Sequence, residues 1–185
     1  MFEKKKEQKW MREGSADAQV VTEVCGYAKV LDRLRNLCSR REYCSADVIK
    51  KAEAGLRKYP DNNVKDLSEA SASILDSLIK DKYVDDSRYA AAYAREKSSI
   101  SGWGPAKISY ALSCKGVDRE IIKKAFGEVD VAASDAKLVK LLQNKSRSLE
   151  KDPQRRMKLI RFALGRGYSY DKVIKVISSF MLSEK

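Results

Sequence analysis

Two stretches whose glycines stand 51 residues apart follow the same local plan: Ala111 to Phe126, ALSCKGVDREIIKKAF, and Ala163 to Ile177, ALGRGYSYDKVIKVI. Each reads as a helix ending on a glycine, Gly116 or Gly167, at the position just past the end, where a left-handed backbone is wanted. One apolar plug follows (Val117, Tyr168), then an acid near the next helix start (Asp118, Asp171) and a β-branched pair (Ile121-Ile122, Val173-Ile174). LIKDKYVDDSRYAAAY has the same order, with Lys82 at the glycine position and Tyr83-Val84 as the plug. A pattern returning about every 50 residues points to tandem small units of three helices each, none able to bury its apolar face alone.

The hydrophobic spacing agrees. Tyr27, Val30, Leu31, Leu34, Leu37 and Cys38 form one continuous helical stripe. Shorter stripes follow: Val48, Ile49, Ala52 and Leu56; Ile74, Leu75 and Leu78; Ile108, Ala111 and Leu112; Ile121, Ile122, Ala125 and Phe126; Leu138, Leu141 and Leu142. Met157, Ile160 and Leu164, and then Val173, Ile174, Ile177, Phe180 and Met181, complete the series. No segment alternates as a strand does, so the chain is predicted all-α, with nine short helices. Pro105 and Pro153 stand where a first helical residue is expected, because a missing N–H costs nothing there. Pro60, in YPDNN, marks a polar turn. Residues 1–24 are charged and without period, and read as a flexible tail.

The chain has 38 Lys+Arg against 26 Asp+Glu, a net charge of +12, and no histidine. The charge favours polyanionic partners or acidic protein grooves. It is uneven: from Val131 to Lys185 there are 13 basic and 5 acidic residues, a net of +8. Without histidine, the usual general base, the usual zinc ligand and every Ser-His or Cys-His nucleophile pair are missing. Cys25, Cys38, Cys44 and Cys114 form no Cys-x-x-Cys motif and read as free thiols in a reducing cytoplasm. The basic N-terminus lacks the apolar core of a signal peptide, and no apolar run approaches membrane-spanning length. No metal, cofactor or membrane partner is expected.

Among candidate sites, the adjacent acids Asp85 and Asp86 stand directly before a predicted helix whose Tyr89 and Tyr93 share a face. Two neighbouring acids point apart, which suits capping and the helix dipole better than metal binding or catalysis. GWGPAK, residues 102–107, has two glycines and Lys107 but neither the preceding strand nor the Gly-Lys-Ser/Thr ending of a phosphate loop, so it reads as a turn into a helix. Trp103 within it has two readings: a surface that stacks a base or anchors a partner, or a plug between repeats. Arg155, Arg156, Lys158, Arg161 and Arg166 lie along one helix and its exit, and Lys172 and Lys175 continue onto the next, with only Asp152 and Asp171 to offset them. With Met157, Ile160 and Leu164 facing inward, Arg155, Lys158 and Arg161 are predicted to form an outward row. Arg33, Arg40 and Arg41 belong to a second basic cluster, with Arg35 among them and Asp32 and Glu42 as offsets.

These residues resemble the RecX regulatory proteins, which modulate the RecA recombinase. KYVDDSRYAAAYAREKSS resembles the family's Gly-Tyr-Leu-Asp-Asp-x-Arg-Phe-Ala helix start. GWGPAKISYALSCKGV resembles its Gly-x-x-Lys-Ile-x-x-x-Leu-x-x-Lys-Gly-Ile segment, and FALGRGYSYDKVIKVI its third-repeat ending. The resemblance runs from about Tyr27 to Met181. Departures are Lys82 in place of glycine before the plug, Pro105-Ala106 where a polar or basic pair is common, and Tyr43-Cys44-Ser45-Ala46-Asp47-Val48-Ile49 in the first repeat.

The resemblance implies three tandem three-helix repeats in an elongated, curved monomer, divided as residues 25–84, 85–130 and 131–185. It further implies binding along the groove of the RecA–DNA filament, which limits filament growth, ATP hydrolysis and strand exchange in recombination, repair and the SOS response. Binding to single- and double-stranded DNA alone is expected to be weak. A direct DNA-binding module resembling a helix-turn-helix regulator is the competing reading; an enzyme is the least favoured. The residues expected to meet a partner are the two basic clusters with Lys107 and Trp103, while Asp85, Asp86, Gly116 and Gly167 are expected to be structural caps.

Overall fold

The computed structural model describes residues 26–59 and 66–182, and every regular element among them is helical. In chain order these are α1 (26–38), α2 (Ser45–Leu56), α3 (Leu67–Lys80), α4 (Asp86–Ser99), α5 (Pro105–Cys114), α6 (Arg119–Ala125) with a 3-10 turn at Phe126–Glu128, α7 (Val131–Arg147), α8 (Arg155–Leu164) and α9 (Tyr170–Leu182). The all-α expectation is therefore met. Residues 1–24, Cys25 and the Pro60 turn lie outside the described residues.

Two compact units divide the chain, Met1–Asp85 and Asp86–Lys185. In the first, α1, α2 and α3 close around Val30, Leu34, Val48, Ala52, Ile74 and Leu78, with Tyr43 and Val84 completing the core. The buried members of α1 recur at spacings of four (Val30, Leu34, Cys38), the middle of the stripe read from sequence. Arg35 ties α1 to the end of α3, its guanidinium donating to Asp81 at 2.9 Å and to Asp32 at 3.2 Å.

In the second unit, α4 packs on α5, α6 and α7, and α7 packs on α8 and α9. Tyr89, Ala90 and Ala94 of α4 are buried, as are Ile108, Leu112, Val117, Ile122 and Ala125. Leu138 and Leu142 of α7 meet Leu159, Ile160 and Ala163 of α8, Tyr168, and Val173 and Ile177 of α9.

The recurring turn is the same in all three places. Lys82, Gly116 and Gly167 have φ of 60°, 75° and 88°. The next amide reaches back to the carbonyl five residues earlier: Tyr83 to Leu78 at 2.8 Å, Val117 to Leu112 at 3.2 Å, Tyr168 to Ala163 at 3.3 Å. This is the Schellman closure, which satisfies carbonyls that the ending helix leaves open. The apolar plugs are buried (Val84, Val117, Tyr168). Asp118 caps α6, its Oδ1 accepting from the amides of Glu120 (2.8 Å) and Ile121 (3.4 Å). α4 begins at Asp86, directly after Asp85, as the paired acids predict.

Two local expectations are corrected. Pro153 is not the first residue of α8, which starts at Arg155; Pro153 sits in the preceding turn, where Asp152 Oδ1 accepts from the Gln154 amide at 2.8 Å. On α8 itself the buried residues are Leu159, Ile160 and Ala163, whereas Met157 is 52% exposed and Leu164 40%. The helix is rotated from the phase read in sequence because α7 and α9 meet it on the Leu159–Ala163 side.

Candidate functional site

The rotation of α8 redistributes its cations. Arg155 is half-buried and donates through Nε to Ser146 Oγ at 2.7 Å, which fastens α8 to the end of α7. Lys158 pairs with Asp152, and Lys172 on α9 pairs with Asp135 on α7. Lys158 and the Gln154 amide together hold the Asp152 carboxyl below its ordinary range, since both favour the charged form. Arg156, Arg161 and Lys175 are exposed and make no ion pair among the described residues. Of the seven predicted C-terminal cations, these three are the ones left facing solvent without an acid among the described residues, and Arg156 and Arg161 share α8 with the exposed Met157 and Leu164.

Arg166 is turned inward. Its Nη1 donates to the Ser101 carbonyl at 2.8 Å, and its guanidinium lies 4.7 Å from the Phe162 ring centre. It belongs to a joint between the α4–α5 loop and the α8–α9 turn that no sequence reading anticipated. The Gly104 amide donates to the Arg166 carbonyl at 2.7 Å, and the Ala106 amide donates to the Gly167 carbonyl at 3.2 Å. The first turn of α5, which has no side-chain cap, thus finds acceptors in a backbone turn about 60 residues further on. Contact is so close that a Cβ on Gly104 would stand 2.3 Å from the Gly167 carbonyl, and a Cβ on Gly167 2.5 Å from the Lys107 amide nitrogen. Only the clustering of glycines in GWG and GRG hints at it in the sequence.

At this joint Trp103 is half-buried, with the Lys107 ammonium 4.6 Å and the Lys97 ammonium 5.8 Å from its ring centre. Lys97 also lies 5.3 Å from the Tyr93 ring, which is 5.8 Å from that of Tyr89. A half-buried indole close to two cations offers both charge and a flat apolar edge.

In the first unit, Arg33 and Arg40 are exposed, and Arg41 packs on Tyr43, donating to its hydroxyl at 2.5 Å with the guanidinium 4.5 Å from the ring centre. The N-terminal cluster is therefore dispersed: Arg35 and Arg41 hold structure together, while Arg33 stands on the outer side of α1. Cys38 and Cys44 are buried and Cys114 is exposed; burial pushes the Cys38 thiol up. No group of three or more metal-ligating side chains forms among the described residues, and no helix there is long and apolar enough to cross a membrane.

Such an architecture defines a helical-repeat protein that presents outward cations and aromatic edges. Residues 85–125 match the family model described as RecX, second three-helix domain, and residues 133–177 match RecX, third three-helix domain. The regulatory protein RecX of Mycolicibacterium smegmatis is 28% identical over 162 residues, covering 83% of this chain and 82% of the relative. That of Salmonella typhimurium is 26% identical over 158 residues, covering 83% and 93%. The fold is that of the crystal structure of RecX from Lactobacillus salivarius (TM-score 0.68, 24% identity, 86% of this chain and 99% of that one) and of a second RecX regulatory protein (TM-score 0.69, 22% identity, 91% and 77%). The chain thus carries the second and third three-helix domains of RecX, over residues 85–125 and 133–177.

Proposed function

We propose that this protein binds the RecA recombinase filament on DNA and slows its growth, lowering the filament's ATP hydrolysis and strand exchange, with no turnover chemistry of its own. The two matched RecX domains, together with relatives named regulatory protein RecX, carry the reading. The exposed, acid-free Arg156, Arg161 and Lys175 support it, because a polyanion or acidic groove is what such unpaired cations attract. Trp103 with Lys107 adds a second contact, and three units divided near residues 84 and 130 lie along the filament. The protein acts as a monomer in the cytoplasm, and its affinity for bare DNA is weak.

The test is recombinase ATP hydrolysis on single-stranded DNA, measured with and without the protein. A rate that falls at substoichiometric amounts supports the reading. An unchanged rate at saturating amounts overturns it. Tight binding to bare DNA with no effect on the filament would favour the direct DNA-binding module instead.

A further inference from the structure

A cleft of about 250 Å³ opens on the first unit between α1 and α2. Its floor is apolar, made by Val30, Leu34 and Leu37 of α1 and Ala54 of α2; its rim carries Arg33, Lys51 and Lys58 and no carboxylate. The acids nearest along the chain are turned to other partners: Asp32 to Arg35 at 3.2 Å and Glu53 to Arg57 at 3.7 Å. Lys51 lies 5.3 Å from the Tyr43 ring, while Arg33 and Lys58 are exposed and make no ion pair among the described residues. Gly55 lets the helices approach at one end, since a Cβ there would stand 3.0 Å from Val30 Cγ1.

We propose that this cleft receives an acidic segment of a partner protein, with one apolar side chain on the floor and flanking carboxylates on Arg33, Lys51 and Lys58. Both halves of the surface are needed for that choice. Phosphates alone would satisfy the three cations but leave the open apolar surface of Leu37 and Ala54 in water, whereas an aliphatic or aromatic side chain covers it and gains the free energy of apolar burial. The cleft lies outside both matched domain ranges, and the proposal does not depend on the filament reading.

The experiment uses the full chain and fluorescently labelled twelve-residue peptides at low salt, read by polarisation. One peptide has a central Phe among Asp and Glu, a second has Ser for that Phe, and a third has Lys for every acid. The acidic Phe peptide should bind, its Ser counterpart at least about tenfold more weakly, and the Lys peptide not measurably. The double change Arg33→Glu with Lys58→Glu should reverse the charge preference, a gain that misfolding does not produce. Ala54→Trp, at an exposed position, should occupy the cleft and abolish the difference between Phe and Ser peptides. Equal binding of acidic and basic peptides by the parent, or no effect of the Phe, overturns the proposal. So does an oligothymidylate that competes with the acidic peptide as well before as after Ala54→Trp, which would mark a nucleic-acid contact.

Discussion

Gly104→Ala should destabilise the second unit although nothing about Gly104's own backbone forbids a side chain. Its φ of −81° and ψ of 165° lie in the extended region that alanine adopts freely, so the cost arises from close approach alone. The added carbon would stand 2.3 Å from the Gly167 carbonyl carbon and oxygen and 2.5 Å from the Tyr168 nitrogen. Ordinary contacts need about 3.5 Å, so the loop and the turn must separate by about 1 Å. That stretches the Gly104–Arg166 and Ala106–Gly167 bonds (2.7 and 3.2 Å) and strains the Arg166–Ser101 bond (2.8 Å). At about 1 kcal/mol for each bond the loss is about 3 kcal/mol. The reduced entropy of the unfolded alanine chain returns about 0.5–1 kcal/mol. A net loss of about 2 kcal/mol lowers the midpoint of a unit of this size by about 10 °C. Thermal unfolding followed by circular dichroism reads this directly. Gly127→Ala, where an added Cβ meets nothing within 4 Å, is the control and should melt within about 2 °C of the parent. Equal melting of Gly104→Ala and the parent would mean that the joint does not exist.

Further outcomes follow from other parts of the molecule. Changing Arg156, Arg161 and Lys175 together to Glu should leave the fold intact, yet weaken binding to filament or DNA strongly and reduce its salt dependence by up to roughly two to three units of slope; Arg155→Glu should instead cost about 1–2 kcal/mol of stability, because it breaks the bond to Ser146. Lys82→Gly should stabilise the first unit by about 1 kcal/mol in urea unfolding, since Lys82 is the one non-glycine residue with positive φ among those described. Asp152, held low by Lys158 and the Gln154 amide, contributes stability that is present above its unfolded value and lost as pH falls through its folded one. An NMR titration should therefore place that carboxyl below about 3.9, and Lys158→Met should move it up toward that value.

What the sequence made legible is what local chemistry decides. The Schellman turns at Lys82, Gly116 and Gly167 are written within six residues each, and the α1 stripe fixes its own inner face. α8 was not legible in the same way. Met157–Ile160–Leu164 and Leu159–Ile160–Ala163 are both acceptable helical stripes, and only the helices packed against α8 choose between them. That choice also reassigns its cations, turning Arg155 into a tether and leaving Arg161 outside. The joint of Gly104 with Gly167 and the cleft between Arg33 and Lys58 depend on residues brought together from distant parts of the sequence. No window of sequence contains either.

Regulation of a recombinase filament by this protein is read from the growth of single filaments. RecA assembling on single-stranded DNA should lengthen more slowly, or stop, when this protein is present at well below one copy per recombinase subunit. The Arg156→Glu, Arg161→Glu, Lys175→Glu variant, folded but altered in charge, should leave growth much closer to the uninhibited rate. Filaments that lengthen at the same rate with and without saturating protein would contradict the account.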